Sequence, residues 1–260
     1  MPPPILAGPA PAPATRAVAA IPARYASTRL PGKPLLDLAG RPMIEHVYRR
    51  AAAARGIDRV VVLTDDERIA AAVRAFGGEV RITPADCASG TDRIAWAARD
   101  WEAGIVVNVQ GDEPLVDPRG IERLVAHLAD TPEDEMATLA ATAEESDLGE
   151  PSVVKVVVDR RGYALYFSRA PIPFPRQAEG AAAQRHIGLY GYRRDALLRL
   201  AALPPSPLER RESLEQLRAL EHGIRIRVLP GAAPSPAVDT PEDAARVARL
   251  IAEQSPERGS

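Results

Sequence analysis

Along the chain, short runs of β-branched and apolar residues alternate with stretches in which apolar residues return every three or four positions. That alternation predicts a sheet covered by helices. AVAAIP (17–22) reads as the opening strand, followed by a loop rich in basic residues, Pro and Gly. After the turn Gly40-Arg41-Pro42, the residues Ile44, Val47 and Ala51 fall on one helical face. RVVVLT (59–64) is a continuous apolar run of strand length, as expected for a strand buried on both faces. A helix is predicted over 67–76 and ends at Gly77-Gly78, where a C-cap can take a positive φ. EVRI (79–82), a helix near 91–101 and the strand IVVNVQ (105–110) continue the series.

After Glu150 the pattern changes. VVKVVV (153–158), YALYFS (163–168) and HIGLYGY (186–192) predict added antiparallel strands, linked through the Pro-rich segment 171–175. A long helix over 208–221, a strand IRIRVL (224–229) and a helix from Pro241 complete the chain. The expected fold class is α/β, Rossmann-like: a mostly parallel mixed sheet flanked by helices, in one domain over 16–252. A smaller inserted lobe is expected within about 150–220. No repeat of fixed period and no dividing linker is visible.

Composition narrows the picture by exclusion. With 33 basic against 35 acidic residues and a net charge of -2, the chain has no overall field suited to nucleic acid. Its 4% aromatic content also leaves few platforms for stacked bases. No stretch reaches the roughly 20 apolar residues of a membrane span, so a soluble, cytoplasmic protein is expected. Residues 1–15, rich in Pro and Ala, read as a disordered extension, and 253–260 as a flexible tail. The single cysteine, Cys87, has no partner for an internal disulfide.

In open α/β sheets ligands gather beyond the carboxyl ends of the strands, so the loops that follow strands carry the candidate chemistry. The loop after 17–22 gathers Arg24, Arg29 and Lys33 with Ser27, Thr28 and Gly32, a set of donors suited to phosphate oxygens. Neither a P-loop nor a dinucleotide fingerprint is present. In NVQGDEPLV, Asp112 and Glu113 follow a strand, where one carboxylate can anchor a hard cation such as Mg2+. In VDTPED (238–243), Thr240, Pro241 and Asp243 make a helix start, while Asp239 lies outside the cap, which does not require it, and can supply a second carboxylate or serve only as a turn residue. Taken singly, the basic loop reads as a solvated surface and each aspartate as a turn residue; together they suggest a division of labour, a basic loop for a triphosphate and two distant carboxylates for magnesium.

Several motifs then occur in one order from about Val18 to Leu250. They are IPARYASTRLPGKPL, TDD (64–66), SGTDR (89–93), VNVQGDEP, YALYFSRAPIP, RHIGLYGYR, SPLE with LEQLR, and VDTPED. In these the chain resembles the 3-deoxy-manno-octulosonate cytidylyltransferases, enzymes that transfer CMP from CTP to the sugar acid KDO for lipopolysaccharide assembly. The resemblance implies a nucleotidyltransferase fold with a dimerisation lobe, a homodimer, and magnesium as cofactor.

It implies Arg24, Ser27, Arg29, Lys33 and Gln110 at CTP, and Asp112 and Asp239 at the metal. Arg24, Lys33, Asp112 and Asp239 are then the catalytic set. Arg93, Arg169, His186, Tyr190, Glu215 and Gln216 are implied at the sugar. Cys87 stands where the family often has His, Ser152 where it often has Asn, and the segment 171–185 is short. Transfer to another acidic sugar, such as 8-amino-KDO or a sialic acid, or an inactive nucleotide-binding homologue, are the alternatives.

Overall fold

The computed structural model describes residues 16–26, 30–176 and 183–254. The elements run β1 (Ala17–Pro22), β2 (Asp37–Leu38), β3 (Arg41–Pro42), α1 (Met43–Ala52), β4 (Arg59–Thr64) and α2 (Glu67–Ala75). They continue through β5 (Val80–Ile82), α3 (Gly90–Ala98), β6 (Ile105–Asn108), α4 (Pro118–Asp130), β7 (Met136–Thr142) and α5 (Glu145–Leu148). The second half adds β8 (Lys155–Val158), β9 (Ala164–Ser168), β10 (Gln184–Arg193), α6 (Arg194–Ala202), α7 (Pro207–Glu212), α8 (Gln216–Glu221), β11 (Ile226–Pro230) and α9 (Pro241–Gln254).

Period-two alternation decides which face each strand residue serves. Val18, Ala20, Val61, Leu63 and Val106 point to one face, where α3, α6 and α8 bring Ile94, Leu197 and Leu217. Ala17, Ala19, Ile21, Val60, Val62 and Val107 point to the other, against Ile44 and Val47 of α1, Ile69 of α2 and Leu124 of α4. Three layers result, with the sheet buried between helices. A third cluster seats α9 against the β2–β3 turn through Leu38, Met43, Val238 and Val247.

The main sheet runs β11-β7-β10-β6-β1-β4-β5, with β8 and β9 attached beside β10. Strands β6, β1, β4 and β5 pair in parallel. Strand β10 runs antiparallel to β6 and β7, and the β8–β9 pair is also antiparallel. Chain order reverses at β1, whose neighbours β4 and β6 lie on opposite sides. The loops leaving β1 and β6 therefore part and open a crevice at the carboxyl end of the sheet.

Three expectations change. The predicted helix over 208–221 is broken into α7 and α8 by Ser213, which caps α7 in the left-handed region at φ 53°. Its apolar periodicity continues through the break because Leu214 and Leu217 both reach the core, so pattern alone could not show it. The strand expected to reach 110 stops at Asn108, which frees Gln110 to point away from the ladder. Helix α9 continues through Gln254, whose side-chain oxygen accepts from Arg50 at 2.6 Å, so 253 and 254 belong to the helix; the rest of the expected tail, 255–260, lies outside the described residues. The expectation for 1–15 lies outside the described residues. No helix among the described residues is long and apolar enough to cross a membrane.

Candidate active site

The crevice holds a cavity of about 410 Å³ lined by Arg24, Lys33, Arg93, Gln110, Gly111 and Asp112, among others. Two close approaches shape it. Gly32, at φ 72°, turns the chain into the short 3-10 turn Lys33–Leu35, and a Cβ there would meet the Tyr25 ring at 3.1 Å. At Gly111 a Cβ would stand 2.8 Å from the Pro22 carbonyl oxygen, so only glycine lets the loop after β6 cross the end of β1.

Lys33 Nζ donates to Asp112 Oδ2 at 2.8 Å and to Asp239 Oδ1 at 3.1 Å. The two carboxylates, far apart in sequence, are brought together by the main chain: Val238 N donates to the Asp112 carbonyl at 2.9 Å, and the Val238 side chain is wholly buried. Beyond it Asp243 accepts from the Asp239 and Thr240 amides at 3.2 and 3.1 Å, which fixes the turn that presents Asp239. Glu113 beside them is held up to about 8, by burial first and by the Asp112 charge second, so at neutral pH it adds little negative charge. Arg24 is exposed at the cavity. The expected contacts Ser27 and Arg29 lie outside the described residues.

A second cavity, of about 380 Å³, lies beside β10 and includes Arg169, His186, Tyr190, Glu215 and Gln216 in its walls. Gln110 lines both cavities and donates from Nε2 to the Gly188 carbonyl at 3.1 Å. Five of the six residues expected at the sugar are thus together. Arg93 is not among them. It is buried at the first cavity, donating to Thr83 Oγ1 and standing 3.4 Å from Asp65. The TDD motif therefore meets SGTDR across the first cavity, because α3 projects Arg93 back toward β4 and not toward β10.

Along the second cavity four rings run in a row: Phe167 and His186 edge to face at 5.0 Å, His186 and Tyr190 tilted at 5.3 Å, Tyr190 and Tyr192 stacked at 6.0 Å. His186 Nε2 lies 3.0 Å from Thr138 Oγ1, whose single proton serves the carbonyl of Ile187 or Leu189. Burial pushes His186 down to about 3, which leaves the ring neutral at physiological pH. Glu215 accepts from Ser89 and Thr91 at 2.9 and 2.8 Å, tying the wall to the start of α3, and burial raises its carboxyl above the usual range.

The sequence reading missed Asn108, Thr91 and Tyr192, which also line this cavity. The Asn108 Oδ1 and the Tyr190 hydroxyl oxygen are buried there without a hydrogen-bond partner. A polar Asn inside an otherwise apolar strand, two positions before Gln110, was the available signal.

Two adjoining cavities, one flanked by cations and paired carboxylates and the other by an arginine and a ring stack, suit a reaction between an anionic nucleotide and a second small molecule. The family model for cytidylyltransferases matches residues 18–226. The chain is 56% identical over 239 residues to 3-deoxy-manno-octulosonate cytidylyltransferase of Syntrophotalea carbinolica, covering 88% of this chain and 96% of that protein. It is 50% identical over 240 residues to the enzyme of that name from Escherichia coli, covering 92% and 98%. Among solved structures it is similar to CMP:2-keto-3-deoxy-manno-octonic acid synthetase complexed with CTP. The TM-score is 0.90 at 50% identity, over 93% of this chain and all of that one. The chain is therefore a member of the cytidylyltransferase family, among the 3-deoxy-manno-octulosonate cytidylyltransferases.

Proposed function

We propose that the chain transfers CMP from CTP to 3-deoxy-D-manno-octulosonate (KDO), giving CMP-KDO and pyrophosphate for lipopolysaccharide assembly. The observation that carries this reading is the junction of the two cavities: Lys33 gathers Asp112 and Asp239 in the first, and Gln110 forms a wall common to both. Relatives at 50% and 56% identity bear that enzyme name, and the structural neighbour was complexed with CTP.

In the reaction the anomeric hydroxyl of the sugar attacks the α-phosphorus of CTP. The new P–O bond forms as the bond to the β-phosphate oxygen breaks, and pyrophosphate departs. Arg24 and Lys33, with Ser27 and Arg29 from the same loop, bind phosphate oxygens and offset the charge that grows on the leaving group. Lys33 exchanges its carboxylate partners for phosphate when the nucleotide enters.

The residues present fit magnesium. Asp112 and Asp239 aim oxygen donors at one common cationic point, and Mg2+ is ordinarily held by one or two carboxylates together with substrate phosphates. These two side chains would hold it, and when bound it offsets negative charge on the phosphates. On the sugar side Arg169 supplies the cation for the acid group, while the neutral His186 ring and the Tyr190 hydroxyl offer hydrogen bonds to sugar hydroxyls. Gln216 lines the same wall, and Glu215 braces it. Arg93, placed with Thr83 and Asp65, serves the nucleotide end.

The chain is further read as a homodimer. Leu165, Phe174 and Leu208, in or beside the added strands and α7, are 61%, 81% and 39% exposed, and apolar surface of that kind suits a covering second copy. A CTP-consuming enzyme works where CTP is made, in the cytoplasm.

The test is pyrophosphate release from CTP with Mg2+, run with KDO, 8-amino-KDO, a sialic acid and no sugar, and repeated with UTP. Release with CTP and KDO alone is the expected result. Release with a different sugar keeps the chemistry and changes the substrate. A folded protein that binds CTP and releases nothing with any sugar is an inactive homologue.

A further inference from the structure

Lys155 opens β8 and is among the largest wholly buried side chains, at 0% exposure. A buried ammonium is tolerated only when its donors are satisfied. Its three N–H groups meet three acceptors, the main-chain carbonyls of Glu150 at 3.0 Å, Val153 at 2.8 Å and Arg169 at 2.6 Å. These carbonyls sit just past the last rung of the β8–β9 ladder, where Lys155 faces Ser168. The ammonium continues the ladder beyond the point at which main-chain pairing ends.

Arg169 completes the tie from the other side. Its guanidinium donates to the Pro151 carbonyl at 2.9 Å and to the Glu212 carbonyl at 2.9 Å. The Glu212 carboxylate in turn accepts from Ser168 Oγ at 2.7 Å and from the Arg169 amide at 3.0 Å. Three segments with no common ladder, 150–154, 168–170 and 212–214, are thereby locked together. Each contributes to the second cavity, through Val154, Arg169 and the turn at Ser213 that delivers Glu215 and Gln216. Val154 also accepts from the His186 amide at 2.9 Å, so the lock reaches the strand that carries the ring stack.

We propose that Lys155 is a positioning residue for the sugar: by gathering the carbonyls of 150, 153 and 169 it sets where the Arg169 guanidinium stands in the second cavity. A methionine of similar length would fill the same space and leave three carbonyls without a donor. The loss would fall on the alignment of the cavity wall, because the fold around it has two extensive cores of its own. The proposal rests on the assignment of the second cavity to KDO, and the experiment separates the two.

KM for KDO and KM for CTP are measured separately in Lys155→Met and in Arg169→Ala, with thermal unfolding recorded for each. The expected result for Lys155→Met is a rise in the sugar KM of about tenfold or more, with the CTP KM unchanged, as for a displaced binding group. If both KM values rise together, or if neither moves while Arg169→Ala raises the sugar KM, Lys155 has no positioning role. If Arg169→Ala leaves the sugar KM unchanged, the assignment of the cavity fails first and the proposal falls with it. Should Lys155→Met fail to fold, Ser168→Ala, which removes one strand of the same tie, is measured in its place. A selective rise in the sugar KM supports the proposal and an unchanged value overturns it.

Discussion

A single ammonium held by two carboxylates far apart in the chain is the central feature at the scale of residues. Asp112→Asn or Asp239→Asn is expected to lower turnover on the order of a hundredfold or more while leaving the melting temperature nearly unchanged, since each carboxylate is one-third exposed. Magnesium-dependent turnover at the original rate in both variants would remove them from the chemistry. Lys33→Met should do something different. On the proposed mechanism it loses a phosphate contact, so turnover should fall, but it also vacates the point on which the carboxylates converge. The nucleotide-free protein should then bind Mn2+ more tightly than the original, as read by electron paramagnetic resonance, and equal affinity would show that the ammonium does not contest that point.

His186 gives a pH dependence with a definite sign. Its proton affinity is pushed from 6.5 down to about 3 by burial, so between those values the unfolded chain binds a proton that the folded chain refuses. The stability linked to the neutral ring is complete above pH 6.5 and is lost as pH falls from there toward 3. His186→Gln should therefore flatten the acid side of a plot of melting temperature against pH in that window. A curve as steep as that of the original protein would show that other groups govern it.

At the scale of elements, the start of α9 links stability to chemistry. Thr240 Oγ1 and the Asp243 carboxylate cap each other's amides, and Asp243 also holds the Asp239 amide. Thr240→Ala is expected to cost about 1 kcal/mol, a fall of roughly 2–4 °C in melting temperature for a chain of this size. Turnover should fall as well, because the turn presenting Asp239 loosens. A loss of stability with full activity would separate cap from catalysis.

The capping pattern was legible from Thr240-Pro241 and an acid at the third position, as were β1, β4, α1 and the stop at Gly77-Gly78. The break between α7 and α8 was not. Ser213 adopts a conformation that a serine rarely takes, and it is held there by a turn whose carbonyl receives Arg169 from another part of the chain. Local propensity carries no information about such a contact.

At the scale of the whole molecule, the reversal of strand order at β1 creates the crevice, and the antiparallel strand β10 closes it with a wall of the second cavity. The exposed side chains Leu165 and Phe174 lead to a prediction at this scale. Light scattering should give the mass of a dimer for the original protein and that of a monomer for Leu165→Glu combined with Phe174→Glu. A dimer that survives both charges is assembled through a different face.

What the sequence by itself determined was the kind of element at most positions and the chemical type of most site residues. Those properties depend on neighbours a few positions apart: alternation in β4, helical spacing in α1, basic residues crowded after β1, an aspartate at the end of β6. Tertiary structure alone decided which of them meet. It set Asp239 beside Asp112, turned Arg93 toward Asp65 and the first cavity, made Gln110 a wall of both cavities and buried Lys155 under three carbonyls. Apart from the two Lys155 contacts to the nearby Glu150 and Val153 carbonyls, these contacts join segments far apart in the chain or lying on different strands. Their geometry follows from strand order and from the burial of apolar faces, which no local window of residues encodes.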